Sequence, residues 1–449
     1  MSQLALLGGK PIRTKPFPAY KVIGKDDEFA VAKVMQSGIL SRFLGAWHPD
    51  FFGGPEVQAF EAEWAKACDA AHAISVNSNT SGLFCSIGAT GVGPGDEVIV
   101  SPYTMSASAI APLIFNAVPV FADIDPVSYC LSAETIAAKI TPRTKAIVVV
   151  HIFGNVADMD PIMELAAKHK LIVIEDCAQA PFASYKGKSV GTLGHMGVFS
   201  LNYHKHIHTG EGGVIVTNDA KLAEKVQLIR NHGEAVIEAK ATATGSALDL
   251  VNMIGFNMRL GEIEAAIGRR QLLKGPELID KRRANVAYLE AKLAGVPGLS
   301  LPQVAQHVKH VYYVHALSYD ALSTGVSRAT WVAALKAELP PTELREGEGV
   351  LIGQGYVRPL YRQPMYQNRT AYGDGGTGCP FACPHYTGTL DYDPSSFPNV
   401  EQAHFSRVVT HELMRPPMSL ADLDAVASAF HKVSENLSAL IDWERSNPK

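Results

Sequence analysis

Residues 199–213 read FSLNYHKHIHTGEGG and place one lysine, Lys205, between a Phe-Ser pair and a glycine-rich run. A lysine is usually a solvated surface residue, so this stretch alone indicates little about the protein. The residues upstream decide how Lys205 is interpreted.

The upstream stretch, residues 171–180, reads LIVIEDCAQA. An apolar run of strand length ends in two carboxylates, Glu175 and Asp176, and an amide, Gln179, follows three residues after Asp176. Ligands of open α/β sheets bind at the carboxyl ends of strands, so this order of residues is typical of a site. Taken alone, Asp176 is more simply explained as a helix cap.

The first half of the chain alternates between strand-like and helix-like segments. The β-prone runs are Ala73–Val76, Glu97–Ser101, Val118–Asp123, Ala146–Val150, Leu171–Glu175, Met196–Leu201 and Gly213–Thr217. Between them lie segments of helix length, including Ser106–Ala117, Met159–His169 and Ala220–Arg230. This alternation predicts a mostly parallel sheet covered on both faces, with ligands at the strand ends.

A chain of 449 residues is too long for one ordinary core, so we predict a large domain and a smaller one. The large domain, with an N-terminal arm, is expected over residues 1–280 and the small one over 281–449. Lys281–Leu293 is a predicted helix leading out of the large domain, and Gly295–Gly298 ends it. The small domain contains a strand-like run, Val311–Ala316, and a final amphipathic helix, Leu420–Asp442.

Composition excludes several classes of protein. Charged residues make up 19% of the chain and the net charge is −4, without a basic block, which argues against nucleic-acid binding. The N-terminus has no basic segment before its short apolar run, and no run of about eighteen apolar residues occurs, so a cytoplasmic protein is expected. Cys379 and Cys383 have a C-x3-C spacing without a second pair, which predicts no metal site.

With Lys205 about thirty residues after Asp176, the two stretches resemble the DegT/DnrJ/EryC1/StrS family of pyridoxal phosphate-dependent sugar and cyclitol aminotransferases. The resemblance is strongest between residues 50 and 290 and recurs in Gly93–Val100, Ile140–Ala146, Gly255–Arg259 and Glu264–Gly268. It implies an α/β protein of the aspartate aminotransferase-like fold type I. Such a protein has a seven-stranded, mostly parallel sheet and a smaller C-terminal α+β domain.

The resemblance also implies a role for each candidate catalytic residue. Aminotransfer needs an electron sink, which a protonated pyridine ring provides. Asp176 would pair with the pyridinium nitrogen and Gln179 would contact the ring hydroxyl. Lys205 would carry the cofactor covalently and then move the proton between substrate and cofactor. Three histidines, His204, His206 and His208, flank it; as alternate residues of an extended stretch they would share one face and are more simply structural.

The cofactor phosphate needs backbone donors and hydroxyls. Residues 77–82, NSNTSG, follow the first strand and precede a helix, so their amides and the helix dipole form an anion site, to which we assign Thr80 and Ser81. Ser200 adds a hydroxyl at the end of a later strand. By the family resemblance, Asn257 reaches the phosphate from the partner subunit, which implies a homodimer with shared active sites.

The chain departs from the family at several positions. Thr104-Met105 stands where the family has a Thr followed by a ring-stacking aromatic, and a thioether covers a ring face with different polarity. Pro181-Phe182 follows Gln179-Ala180 where His-Gly is common, and the C-terminal motif is reduced to Tyr356–Tyr361. These changes affect the choice of substrate more than the cofactor chemistry.

Three functions remain open at this point. The first is transamination from L-glutamate or L-glutamine to a keto-sugar, usually nucleotide-linked, or to a keto-cyclitol. The second is the sugar dehydratase variant of the family, in which a histidine replaces the lysine; His206 adjoins that position, but the register from Phe199 and from Gly210 favours Lys205. The third is a non-catalytic regulator, which would be expected to lose Lys205 or Asp176.

Overall fold

The computed structural model describes residues 3–245, 253–373 and 378–447. In chain order the strands are β1 (His72–Val76), β2 (Glu97–Val100), β3 (Val118–Phe121), β4 (Thr144–Val150), β5 (Ile172–Asp176), β6 (Ser184–Tyr185), β7 (Lys188–Ser189), β8 (Met196–Ser200), β9 (Gly213–Thr217), β10 (Leu299–Ser300), β11 (Val308–Lys309), β12 (His315–Tyr319), β13 (Ile352–Gln354) and β14 (Val408–His411).

The helices of the described residues are α1 (Lys25–Ser37), α2 (Pro55–Cys68), α3 (Asn79–Thr90), α4 (Ala107–Ile114), α5 (Ala133–Ala137), α6 (Met159–His169), α7 (Ala220–Arg230), α8 (Ile237–Thr244), α9 (Glu262–Leu293), α10 (Ala321–Thr324), α11 (Arg328–Glu338), α12 (Pro364–Gln367), α13 (Pro398–Gln402), α14 (Leu420–Glu435) and α15 (Leu437–Ser446). None of them is long and apolar enough to cross a membrane.

All seven predicted β-prone runs form strands of one sheet, in the order β1-β9-β8-β5-β4-β2-β3. The pairs from β8 to β3 are parallel, whereas β9 runs antiparallel to both of its neighbours, β1 and β8. These strands are rich in valine and isoleucine and almost wholly buried, as expected for a sheet with helices on both faces. The predicted seven-stranded, mostly parallel sheet is therefore confirmed.

Helix α3 packs closely on this sheet, and the approach depends on a glycine. A Cβ at Gly82 would lie 2.5 Å from Cγ1 of Val198 on β8, so a larger residue would push the helix away. Ser78 caps the N-terminus of α3 by accepting a hydrogen bond from the Ser81 amide. Packing and cap together fix where the first turn of α3 lies relative to the strand ends.

A second sheet, antiparallel, has the order β10-β12-β14-β13. It packs in a separate hydrophobic cluster with α11 and α14, around Trp331 and Phe430. Leu4 and Phe17 of the N-terminal segment belong to this second cluster, although they precede the first strand of the large sheet. The chain therefore returns its first residues to the core built by its last ones.

Two elements predicted in the second half of the chain differ from the structure, and one predicted domain boundary lies inside a helix. The predicted strand Val311–Ala316 is displaced, because the strand runs over His315–Tyr319 and is preceded by a loop. The predicted final helix is divided at Asn436 into α14 and α15. The expected boundary at residue 280 falls inside α9, which is continuous from Glu262 to Leu293, so the division into domains stays a prediction.

Candidate active site

A cavity of about 390 Å³ lies at the carboxyl ends of β4, β5 and β8, next to the N-terminus of α3. Its walls include five of the predicted site residues: Thr80, Asp176, Gln179, Ser200 and Lys205. Asp176 is the last residue of β5 and Ser200 the last of β8, and these neighbouring strands are parallel, which places both side chains at one edge of the sheet.

Asp176 is 4% exposed and is held by several donors. Its Oδ2 accepts a hydrogen bond from the Ser108 hydroxyl at 2.7 Å, and its Oδ1 accepts from the Ala178 amide at 3.1 Å and from Nδ2 of Asn79 at 3.4 Å. Among the described residues no lysine, arginine or histidine forms an ion pair with it. A buried carboxylate is costly without a positive partner, so the cavity suits a cationic group at this position.

Lys205 lies in a turn that follows β8, not in a strand. Its amide donates to the carbonyl of Asn202 at 2.9 Å, and its Nζ lies 4.4 Å from the centre of the Tyr313 ring. The expectation that His204, His206 and His208 share one face of an extended stretch is wrong, because the turn separates them. His204 lines the cavity, whereas His206 is fully buried and its Nε2 donates to the carbonyl of Val311 at 3.0 Å.

Burial and neighbouring positive charge explain the state of these histidines. Desolvation is the main cause that lowers the pKa of His206 well below its usual value, and Arg282 lowers it further. Burial also lowers the pKa of His204 and of His208. The three histidines near Lys205 in the sequence are therefore neutral at pH 7, and the buried His206 is bonded to the Val311 carbonyl and does not line the cavity.

The start of α3 borders the cavity where the anion site is predicted. A Cβ at Gly213 would lie 2.7 Å from the Ser78 carbonyl and 2.8 Å from the Asn79 amide, so the absence of a side chain lets β9 and this loop approach closely. The first amides of a helix have no intrahelical acceptor, and Ser78, Asn79 and Thr80 at this end of α3 line the cavity. Oδ1 of Asn79 is buried and lacks a hydrogen-bond partner among the described residues.

The oxygen and the nitrogen of the Gln179 side-chain amide each form a hydrogen bond. Its Oε1 accepts a hydrogen bond from the Phe153 amide at 2.6 Å, and its Nε2 donates to the Tyr356 hydroxyl at 2.9 Å. One N–H of the amide is left for a group in the cavity. Burial raises the pKa of Tyr356, so its hydroxyl keeps its proton.

Two predicted residues do not line the cavity. The Ser81 hydroxyl donates to Oδ1 of Asn77 at 2.6 Å, within the loop. Asn257 is exposed, and its Oδ1 accepts from Nε of Arg259 at 2.8 Å. The predicted roles of both residues at the phosphate stay predictions, that of Asn257 in the partner subunit.

The cavity also contains residues that the sequence did not single out for a role: Asn79, Asn202, Glu211, Tyr313 and Tyr356. Asn79 lies within the loop that predicted the anion site, and a test of its amide as a donor could have found it. Ser108, buried inside α4, carries no such signal, because a serine in an apolar helix is usually a packing residue. Met105 lines the cavity, and its Sδ accepts from the Ala107 amide at 3.3 Å.

One close group of metal-ligating side chains occurs in the part of the chain that the structure describes: His151, Glu175 and Cys177, all buried. The Glu175 oxygens already accept from the amides of Gly191, Leu193 and Gly194 and contact Nε2 of His151 at 2.8 Å. Burial is the main cause that raises the pKa of Cys177 well above its usual value, which disfavours a thiolate. These groups fasten β5 to the segment before β8.

A lysine and a buried carboxylate without an ion-pair partner among the described residues share a cavity with a helix N-terminus, an arrangement that suits an α/β enzyme of the aminotransferase type. The profile of the DegT/DnrJ/EryC1/StrS aminotransferase family matches residues 45–426. The chain belongs to this family, and it is an aminotransferase.

Relatives and solved structures agree with this assignment. The chain is 34% identical to the spore coat polysaccharide biosynthesis protein SpsC of Bacillus subtilis, over 82% of this chain and 89% of that protein. It is 32% identical to a putative L-glutamine:3-amino-2,3-dideoxy-scyllo-inosose aminotransferase of Streptoalloteichus tenebrarius, over 98% and 99%. The structure of DesI in the presence of its TDP-sugar product matches with a TM-score of 0.78 and 26% identity, over 98% and 99% of the two chains.

Proposed function

We propose that this protein is a pyridoxal phosphate-dependent aminotransferase that moves an amino group from L-glutamine or L-glutamate to a keto-sugar or keto-cyclitol. One observation carries the proposal: Lys205 and Asp176 line the same cavity, and Asp176 lacks a positive partner among the described residues. The curated relatives include a GDP-perosamine synthase and L-glutamine:2-deoxy-scyllo-inosose aminotransferases, which supports both classes of acceptor.

The donor set of the cavity fits the cofactor. Asp176 would pair with the ring nitrogen, and the free N–H of Gln179 would face the ring hydroxyl. Thr80 and Ser200, with the first amides of α3, would bind the phosphate, and Ser81 would support the loop that presents them. When bound, the cofactor supplies a protonated ring that stabilises negative charge on the substrate carbon.

The chain's own groups then perform the remaining steps. Lys205 would hold the cofactor covalently and, once released by the donor's amino group, would take a proton at Nζ and return it. Ser108 and the Ala178 amide keep the Asp176 carboxylate in one orientation. The Tyr313 ring lies 4.4 Å from Nζ of Lys205 and borders the space in which this amine would act.

The two alternative functions fit the geometry less well. A dehydratase would need a histidine at the lysine position, but Lys205 lines the cavity and His206 faces the Val311 carbonyl. The GDP-4-keto-6-deoxymannose-3-dehydratase ColD, at 23% identity, shows the shared fold alone. A non-catalytic regulator would not need both Lys205 and Asp176.

We further propose a homodimer in which Asn257 reaches the phosphate of the partner's site. Asn257 is exposed and outside the cavity of its own chain, as this role requires. Apolar side chains such as Phe29, Ile254 and Leu273 are also exposed, which suits a covered surface in an assembly.

The function is tested with the purified holoenzyme. L-glutamine and L-glutamate are each added, and the absorbance of the bound cofactor is followed as it changes from the lysine-linked form to the amine form. Nucleotide-linked keto-sugars and free keto-cyclitols are then added separately, and mass spectrometry identifies the aminated product. A cofactor that does not convert with either donor would refute transamination.

A further inference from the structure

The turn that carries Lys205 contacts the N-terminal segment of the chain. The Tyr20 hydroxyl donates a hydrogen bond to the backbone carbonyl of His206 at 2.5 Å. His206 is the residue next to Lys205, and the turn has no strand partner at this position. The contact therefore constrains the peptide from which the lysine side chain projects.

The Tyr20 ring itself lies close to two arginines. The guanidinium carbon of Arg282 lies 5.3 Å from the centre of the Tyr20 ring, and that of Arg415 lies 5.4 Å from it. Both arginines are buried, with 1% and 6% of their surface exposed. A cation near an aromatic ring is attractive, and more so when it is desolvated, so both arginines help to hold the Tyr20 ring in place.

Arg282 links the same ring to the other wall of the lysine site. Its Nη1 donates to the carbonyls of Tyr312 at 3.1 Å and Tyr313 at 3.4 Å. The ring of Tyr313 lies 4.4 Å from Nζ of Lys205, and the neighbouring Val311 carbonyl accepts the bond from His206. The lysine turn therefore contacts Tyr20 through the His206 carbonyl and Val311 through the His206 ring. Arg282 lies beside the Tyr20 ring and also binds the 311–313 segment.

The beginning of the N-terminal segment is held by hydrogen bonds to Glu338. Glu338 is fully buried; its Oε1 accepts from the Ala5 amide at 2.8 Å, and its Oε2 accepts from the Ile12 amide at 3.1 Å and from Nζ of Lys432 at 2.8 Å. Phe17 is buried in the second hydrophobic cluster. Tyr20 follows three residues later, so it reaches the lysine turn from a fixed support.

We propose that Tyr20 is a positioning residue for Lys205: its hydroxyl fixes the 202–208 turn so that Nζ is held at the attachment point of the cofactor. The proposal rests on the proposed function, because it assigns Lys205 as the attachment site. Four rotatable bonds already separate Nζ of a lysine from its backbone. Motion of the backbone would add to this freedom, so a firmly held turn narrows the range of positions of Nζ. A displacement of about 1 Å costs roughly 100-fold in rate at a reacting atom.

The test uses Tyr20→Phe, which removes the hydroxyl and keeps the ring beside the two guanidiniums. Tyr392→Phe is the matched control, because the Tyr392 hydroxyl also donates to a backbone carbonyl, that of Pro119, at 2.6 Å, and lies outside the cavity. Both variants and the wild type are stripped of cofactor and checked for folding by thermal unfolding.

Covalent attachment is measured by absorbance after mixing with pyridoxal phosphate. In this step Nζ forms a C=N bond with the aldehyde carbon and the aldehyde oxygen leaves as water, without oxidation or reduction. We expect attachment about 10- to 100-fold slower in Tyr20→Phe. Pyridoxamine phosphate cannot bond to the lysine, and its affinity should stay within about threefold of wild type.

Hydrogen exchange of the cofactor-free protein tests the turn without any chemistry. Peptides covering residues 202–208 should exchange faster in Tyr20→Phe than in wild type. Their exchange rates in Tyr392→Phe should equal those of wild type. Wild-type rates of both attachment and exchange in Tyr20→Phe would overturn the proposal, as would equal slowing of attachment in Tyr392→Phe. If the wild type itself never attaches pyridoxal phosphate, the proposed function fails. The exchange measurement then decides separately whether Tyr20 holds the turn.

Discussion

Replacement of Asp176 by asparagine separates the charge of this residue from its hydrogen bonds. The carboxylate accepts from Ser108, Ala178 and Asn79. An asparagine of the same shape keeps an oxygen for Ala178 and Asn79, and its amide can donate to the Ser108 oxygen once that hydroxyl rotates. The folded state should therefore lose no more than about 1 kcal/mol.

The loss of charge has a larger effect. Two unit charges about 4 Å apart interact by about 4 kcal/mol at an effective dielectric constant near 20, which is typical of partly buried sites. Since about 1.4 kcal/mol corresponds to a tenfold change in rate, removing the partner of a protonated ring should slow the reaction about 1,000-fold. Asp176→Asn should keep its cofactor while reacting slowly.

The assay is a single-turnover half-reaction with L-glutamine, followed by absorbance, together with thermal unfolding of the same samples. Ser108→Ala is the control, because it removes one hydrogen bond to Asp176 and leaves the charge; it should slow the half-reaction about tenfold at most. If Asp176→Asn reacts within tenfold of wild type while folded and loaded, Asp176 does not have the role assigned to it.

Three further predictions concern the lysine, the subunit contact and acid stability. Lys205→Ala should lower turnover by about three orders of magnitude or more, and borohydride reduction of the wild type followed by peptide mapping should label Lys205; a label on another lysine would show that the assignment is wrong. A mixed dimer of Lys205→Ala and Asn257→Ala should recover activity that neither variant has alone, because one of its sites carries neither change; no recovery in a dimer shown to have formed would place Asn257 within its own subunit. Burial lowers the pKa of His310 to about 3 from its usual 6.5, so the unfolded chain binds a proton that the folded chain does not, and stability should fall as pH decreases from 6.5 towards 3 by up to about 1.4 kcal/mol per pH unit. His310→Asn, which can still accept from the Tyr312 amide, should make this loss shallower in unfolding measured at pH 7 and pH 5, and an unchanged pH dependence would contradict the assignment.

The sequence predicted the large sheet well, because its signals are local. A run such as Ala146–Val150 is apolar and β-branched throughout, and such a run is stable only as a buried strand. The helices Met159–His169 and Ala220–Arg230 also have the predicted bounds. Asp176 and Ser200 could be named because ligands bind at strand ends in such sheets, and Gln179 and Lys205 because the stretches that contain them resemble the family.

The second half of the chain shows where local signals fail. His315–Tyr319 is a strand because it pairs with β14, almost a hundred residues away, and not because of its own pattern, which favoured residues 311–316. Asn436 divides the last helix, although the apolar spacing continues past it.

Residues that act through distant partners were decided by the tertiary structure alone. Ser108 contacts Asp176 across 68 residues, and Tyr20 contacts the His206 carbonyl across 186 residues. The position of each is set by packing and long-range pairing, which no local pattern of residues encodes. The sequence therefore determined the sheet and the residues at its strand ends, and only the folded chain determined which side chains hold them in place.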